Sequence, residues 1–134
     1  QLADQIAIAI SNNKRKIAEK SLKKLSLAVE QSQVSIIITN KEAQIEYVNP
    51  RFLEISGYTL SEVFGKKPNI LSSDYHSKEE FDKMWALLNA GDNWNGVFKN
   101  KNKTGEIYWE SATISPVKNE DGIITNFVAL KINN

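Results

Sequence analysis

The side chains able to carry chemistry are few and do not cluster. His76 is the only histidine and there is no cysteine, so neither a zinc constellation nor a thiol nucleophile can be assembled. Carboxylates are plentiful, yet Glu79, Glu80 and Asp82 gather at the start of a predicted helix, where the helix dipole stabilises negative charge. No serine or threonine has the sequence context of an activated nucleophile, and no glycine-rich phosphate loop is present. Catalysis is not expected of this chain, and the chemistry left to it is binding. Asn100, Ser111 and Thr113 stand in segments of period two and offer uncharged hydrogen-bonding groups. Trp85 and Trp94 offer flat indole surface on which a planar ligand can stack at low entropic cost. A polar cavity lined by Asn100, Ser111 and Thr113 would mark a ligand site, whereas closure of the same space by Phe98 and Trp109 would mark a packed core.

The elements that must position these residues follow from the punctuation of the chain. Ile45-Glu-Tyr-Val-Asn-Pro-Arg-Phe-Leu-Glu-Ile-Ser-Gly57-Tyr58 changes period from two to helical at Asn49. Asn49 can cap a helix that begins at Pro50, whose missing amide hydrogen is no loss there, and Gly57 can end it with positive φ. Upstream, Val34 to Thr39 is β-branched and apolar enough for a strand, and the polar run Asn40 to Gln44 turns it into a hairpin with Ile45 to Val48. Thr59 and Glu62 have capping-box spacing ahead of a single turn of helix, and one more turn is expected at Pro68 to Leu71. Helices this short must be held by packing on a sheet. Ser77 and Glu80 repeat the capping box ahead of Phe81, Met84, Trp85 and Leu88, one apolar face on a proper helix that ends near Gly91. Beyond it, three period-two segments separated by Asn102-Lys-Thr-Gly105 and Asn119-Glu-Asp-Gly122 predict an antiparallel meander. The predicted fold class is α+β: a five-stranded antiparallel sheet with short helices on one face.

Residues 1–30 are of another kind. From Leu2 to about Gln31 there is no proline or glycine, and a long helix is expected; Ala3, Ile6, Ile10 and Ile17 fall at helix–helix spacing. No second long helix is available in the chain, so the expected partner is another copy, which makes residues 1–30 a dimerisation and signalling helix and residues 31–134 the domain. The formal charge of +1 divides unevenly, with six basic against three acidic residues in 1–30 and eleven against thirteen in 31–134. The domain is thus not expected to bind nucleic acid. No run approaches the roughly eighteen apolar residues of a membrane span, and the first residues lack the order of a signal peptide. Direct membrane insertion is not expected. The expected compartment is the cytoplasm, either free or as part of a membrane-anchored protein.

With these elements in place the chain resembles the PAS fold, the sensory domain family that includes the LOV photoreceptors. The resemblance is carried by Ile45 to Tyr58, then Gly65-Lys-Lys-Pro-Asn-Ile-Leu71, Trp94-Asn-Gly96, Asn102-Lys-Thr-Gly-Glu-Ile-Tyr-Trp109 and Ile114-Ser-Pro-Val117. It runs over roughly residues 25–132. It implies a sheet cupping small helices, with any ligand held between them. It also implies a place in a larger signalling protein of bacterial type, such as a histidine kinase or a diguanylate cyclase.

Within the family the nearest resemblance is to the branch of LOV domains and FAD-binding redox sensors. The photoactive cysteine of LOV domains falls on Pro68, which excludes a flavin–cysteinyl adduct. The neighbouring flavin-contacting asparagine falls on Lys67, the phosphate-facing arginine on Asn69 and the glutamine on Ser72. A ring-bonding asparagine is kept as Asn100, and its companion falls on Glu110, an acidic group able to accept a ring proton. The resemblance therefore leaves the cofactor open, with FAD or FMN as the candidates. The cofactor-binding residues it suggests are Asn100 and Glu110; Trp94, Trp85, Ser111 and Thr113 join them from the residue reading. Haem-binding members carry their axial histidine further along the central helix, so His76 is expected to be an exposed loop residue. The function expected is a non-catalytic sensory domain regulating an output domain of the same chain. The alternatives are a flavin redox sensor and a ligand-free interaction module.

Overall fold

The computed structural model describes residues 1–134, which divide into two units, Gln1–Gln31 and Ser32–Asn134. The first is one helix, α1 (Leu2–Glu30), with none of its residues buried. No helix is long and apolar enough to cross a membrane.

The second unit runs β1 (Ser35–Asn40), β2 (Ile45–Val48), α2 (Pro50–Ser56), α3 (Leu60–Val63), a 3₁₀ turn at Pro68–Leu71, α4 (Lys78–Asn89), β3 (Trp94–Lys101), β4 (Ile107–Lys118) and β5 (Ile124–Asn133). The strands form one antiparallel sheet in the order β2-β1-β5-β4-β3. The predicted α+β fold is the observed one, with β1 displaced one residue toward the C-terminus. The two edge strands, β2 and β3, are consecutive in sequence. The chain between them must therefore cross the full width of the sheet, and α2, α3, the 3₁₀ turn and α4 make that crossing.

One device closes all three hairpins. Asn40, Asn102 and Asn119 each accept, through Oδ1, the amides two and four residues on, at 2.8–3.1 Å. In each loop the residue three further on has positive φ, and it is Gly105 and Gly122 in two of them. In the first hairpin that residue is Ala43 at φ 65°, so this loop carries the strain of a side chain in the left-handed region.

Asn49 fastens the start of the crossing. Its Oδ1 accepts from Phe52 N at 3.2 Å as the cap of α2, and also from Ile36 N at 2.9 Å, while its Nδ2 donates to Val34 O at 2.8 Å. The side chain is fully buried, and each of these bonds satisfies a backbone group that is buried or partly buried. The far end is sewn to β3. Ser72 forms a bridge with Asn100, Ser73 Oγ donates to Lys99 O, and Lys99 N donates to His76 Nε2 at 3.0 Å. His76 is thus not the exposed loop residue expected; its side chain keeps only 14% of its surface because it supplies the acceptor for an edge-strand amide.

Replacing Asn49 with alanine removes a cap and orphans Ile36 N and Val34 O. Urea denaturation should show a loss of about 3 kcal/mol, the sum of a cap and two partly buried unsatisfied groups. A loss below about 1 kcal/mol would show that the residue only caps α2.

Candidate functional site

The crossing does not fill the space beneath it. Buried residues fall into two clusters: Ile37, Ile45, Val48, Phe52, Val63 and Leu71 toward the β1–β2 edge, and Met84, Leu88, Phe98, Ala112, Ile114 and Phe127 toward the β3 edge. Between them is a cavity of about 540 Å³ whose lining draws on Ile37 of the first cluster and Met84, Phe98, Ile114 and Phe127 of the second. That is within the range of roughly 300–1,000 Å³ usual for small-molecule sites.

The polar groups of the lining occupy two levels. Exposed Lys41, Glu42, Lys67, Asn69 and Asn89 form a rim, while Thr39, Asn100 and Lys131 are buried. Thr39 Oγ1 already donates to Asn40 O at 2.9 Å. Asn100 Nδ2 donates to Glu110 Oε1 at 3.1 Å. Because an ionised carboxylate only accepts, this bond fixes the amide orientation and leaves Oδ1 as the acceptor of Asn100. Lys131 lies with Nζ 4.9 Å from the centre of the Phe98 ring. Burial pushes its pKa below the ordinary 10.5, and the charge of Glu110 opposes that fall.

The six residues singled out in the sequence separate cleanly. Asn100 and Trp85 line the cavity, Trp85 meeting Phe127 edge-on at 5.3 Å between ring centres. Glu110 sits beside the cavity and bears on it through Asn100. Trp94 does not line it: its indole lies over Gly96, where a Cβ would fall 2.4 Å from the ring, and against Phe98 at 5.0 Å. Ser111 and Thr113 also lie away from it. In β4, Glu110, Ala112 and Ile114 are buried toward the helices, so strict alternation sends Ser111 and Thr113 to the opposite face of the sheet. There Ser111 Oγ donates to Asn134 Oδ1 at 3.1 Å and Thr113 Oγ1 to Asn95 Oδ1 at 2.7 Å. Trp109 shares that exposed face and does not close the cavity, whereas Phe98 forms part of its wall. Lys131 was missed by sequence reasoning, although the alternation Phe127, Ala129, Lys131 along β5 marks it as an inward position. His76 takes no part in the lining, and both ring nitrogens are engaged, Nδ1 with Glu80 Oε2 at 2.7 Å and Nε2 with Lys99 N.

A crossing of short helices over a five-stranded antiparallel sheet, with a half-open cavity between, defines a sensory domain of the PAS type. The chain belongs to that family: the PAS domain family model matches residues 33–131. Members are sensory, non-catalytic modules, and this domain is one of them. It is 32% identical over 103 residues to the nitrogen fixation regulatory protein of Klebsiella pneumoniae, a match covering 77% of this chain and 21% of that protein. It is 33% identical over 93 residues to the aerotaxis receptor of Escherichia coli, covering 69% of this chain and 18% of the receptor. The chain thus spans about a fifth of the length of these relatives. Among solved structures, an RNA-binding light-oxygen-voltage receptor superposes with a TM-score of 0.78 at 24% identity, covering 83% of this chain and 32% of that one. At that identity the likeness is one of fold.

The Asn100–Glu110–Lys131 group predicts a coupling measurable by a double-mutant cycle. Glu110→Gln together with Lys131→Met should cost less than the sum of the two single changes by about 1 kcal/mol, since each single change removes the same attraction acting at a distance between the two buried charges. The pH sign follows from Lys131. Its folded pKa lies below its unfolded value, so the unfolded chain holds the proton more tightly and stability rises as pH climbs toward 10.5. Without Glu110 the lysine falls further, so the deficit of Glu110→Gln is largest near neutral pH and narrows toward 10.5. A deficit independent of pH in chemical denaturation would contradict the coupling.

Proposed function

We propose that this domain holds a small planar ligand in the cavity between sheet and helices and uses its occupancy or chemical state to regulate an output domain in a larger bacterial signalling protein. The observation that carries the reading is the cavity of about 540 Å³ with apolar walls and a buried polar end at Asn100 and Lys131. A core built only for packing would be expected to close over such a space with apolar side chains.

FAD or FMN is the ligand to test first. The residues present fit it in part: Phe98, Phe127 and Trp85 supply apolar and aromatic surface, Asn100 a hydrogen-bonding edge, and Lys41 and Lys67 cationic groups at the rim where the arginine of the LOV pattern is missing. When bound, a flavin would supply redox chemistry and visible absorption, and with no cysteine in the chain a thiol adduct is not available. The likeness to the nitrogen fixation regulatory protein and the aerotaxis receptor supports the regulatory part of the reading.

Purified protein carrying a flavin should absorb near roughly 375 and 450 nm and release the flavin on denaturation, and its affinity should fall about tenfold in Asn100→Ala if one charge-free hydrogen bond to the ring is lost. A featureless visible spectrum, with no flavin detected by mass spectrometry of the denatured supernatant, would exclude flavin and leave a colourless ligand.

Dimerisation through α1 is the second element of the proposal. Its stripe of Ile6, Ile10 and Ile17 is more than half exposed at every position, an arrangement that suits pairing with a second copy. The double change Ile6→Lys and Ile10→Lys should halve the mass measured by light scattering and leave the circular dichroism of the sheet intact. An unchanged mass would contradict it.

A further inference from the structure

Lys131 is the one charged residue of the cavity lining that is buried, keeping 5% of its surface. Its ammonium carries three donors, and it forms no hydrogen bond or ion pair within the chain. The nearest compensation is incomplete. Phe98 offers its ring face at 4.9 Å, and Glu110 acts only at a distance, its Oε1 accepting from Asn100 and its side chain lying off the cavity wall. Directly across the sheet from Lys131 stands Ser35, whose buried Oγ also lacks a hydrogen-bond partner. Lys131 lines the cavity, and a charge on a side chain so largely removed from water is costly to keep without a partner. A side chain kept in that condition at the edge of a cavity is one whose partner comes from outside the chain.

The surrounding charges indicate what that partner is. The charged residues of the lining are Lys41, Lys67, Lys131 and Glu42, three cations against one anion, so the field inside the cavity favours an anion. Glu110, hydrogen-bonded to Asn100 and off the cavity wall, offsets part of that excess without lining the space a ligand would enter. Phe98, Phe127 and Trp85 provide the apolar space for a flat body.

We propose that Lys131 is a ligand-anchoring cation, and that the cavity selects an aromatic or heterocyclic anion whose carboxylate or comparable oxyanion pairs with Nζ at the buried end while its ring system lies among Phe98, Phe127 and Trp85. The inference rests on the reading of the cavity as a ligand site and adds the charge class of the ligand and the residue that reads it.

The test compares two probes of nearly identical shape, naphthalene-2-carboxylate and naphthalene-2-carboxamide, by calorimetric titration of the full chain. The wild type should bind the carboxylate at least about tenfold more tightly than the carboxamide, the scale of one charge-assisted contact. Lys131→Met should abolish that preference while still binding the carboxamide, which serves as the check that its cavity is intact; Lys131→Arg should keep the preference. Equal affinities in the wild type, or a preference that survives Lys131→Met, would overturn the role of Lys131 and leave the ligand cavity standing. A preference lost equally in Lys131→Met and Lys131→Arg, with carboxamide binding gone from both, would assign Lys131 to structure and overturn the inference. Failure of both probes to bind the wild type would overturn both readings.

Discussion

The rest of the domain depends on a topological constraint: its two edge strands follow one another in the chain. A connection from β2 to β3 has to traverse the sheet, and the residues available for it are broken into three short helical pieces and one longer helix. None of the short pieces would be stable alone. They are held because the crossing is pinned at both ends, by Asn49 to the backbone of β1 and by Ser72, Ser73 and His76 to β3. A span fixed at its ends and made of short rigid units can arch over the sheet, and the cavity is the space under the arch.

That arrangement explains why the core is divided. One cluster packs α2, α3 and the 3₁₀ turn against β1 and β2; the other packs α4 against the meander. Ala129, in the middle of β5, touches both, and its small side chain leaves the gap between them open. The polar end of the gap costs stability, because Glu110 and Lys131 are both almost wholly removed from water. A cavity with a buried lysine is a poor way to build a small domain and a reasonable way to build a selective one. Any ligand that distinguishes two arrangements of the crossing would shift the balance between them, which is the physical requirement for signalling.

Much of this was legible in the sequence, for reasons that can be named. Hairpins and caps are local, so Asn40, Asn102, Asn119, Thr59 and Ser77 announced their turns and helices through spacings of two to four residues. The cap at Asn49 was visible for the same reason. Its second task was not, because Val34 and Ile36 lie fifteen and thirteen residues back and only strand pairing brings them near. His76 was misjudged likewise: its partner is the backbone of Lys99, and backbone acceptors and donors leave no mark on residue type. Ser111 and Thr113 failed on parity. Period two gives two faces, and hydroxyl residues alone do not say which one is inside; Ala112 and Ile114 between them did. The resemblance to LOV domains directed attention to Asn100 and Glu110, which the structure joins by a hydrogen bond, but it carried no pointer to Lys131.

The proposed ligand would enter the space between the sheet and α4. Met84 is the only methionine of the chain, is buried, and lines that space. Protein labelled with ¹³C at the methionine methyl therefore gives one signal from inside the cavity. Titration with naphthalene-2-carboxamide, watched beside the backbone amides, is the most direct test. With a ligand in the cavity, the Met84 methyl signal should move in step with the amides of Phe98, Phe127 and Ala129. Saturable shifts confined to the outer face at Ser111 and Thr113, with the methyl signal fixed, would place binding elsewhere and contradict the proposal.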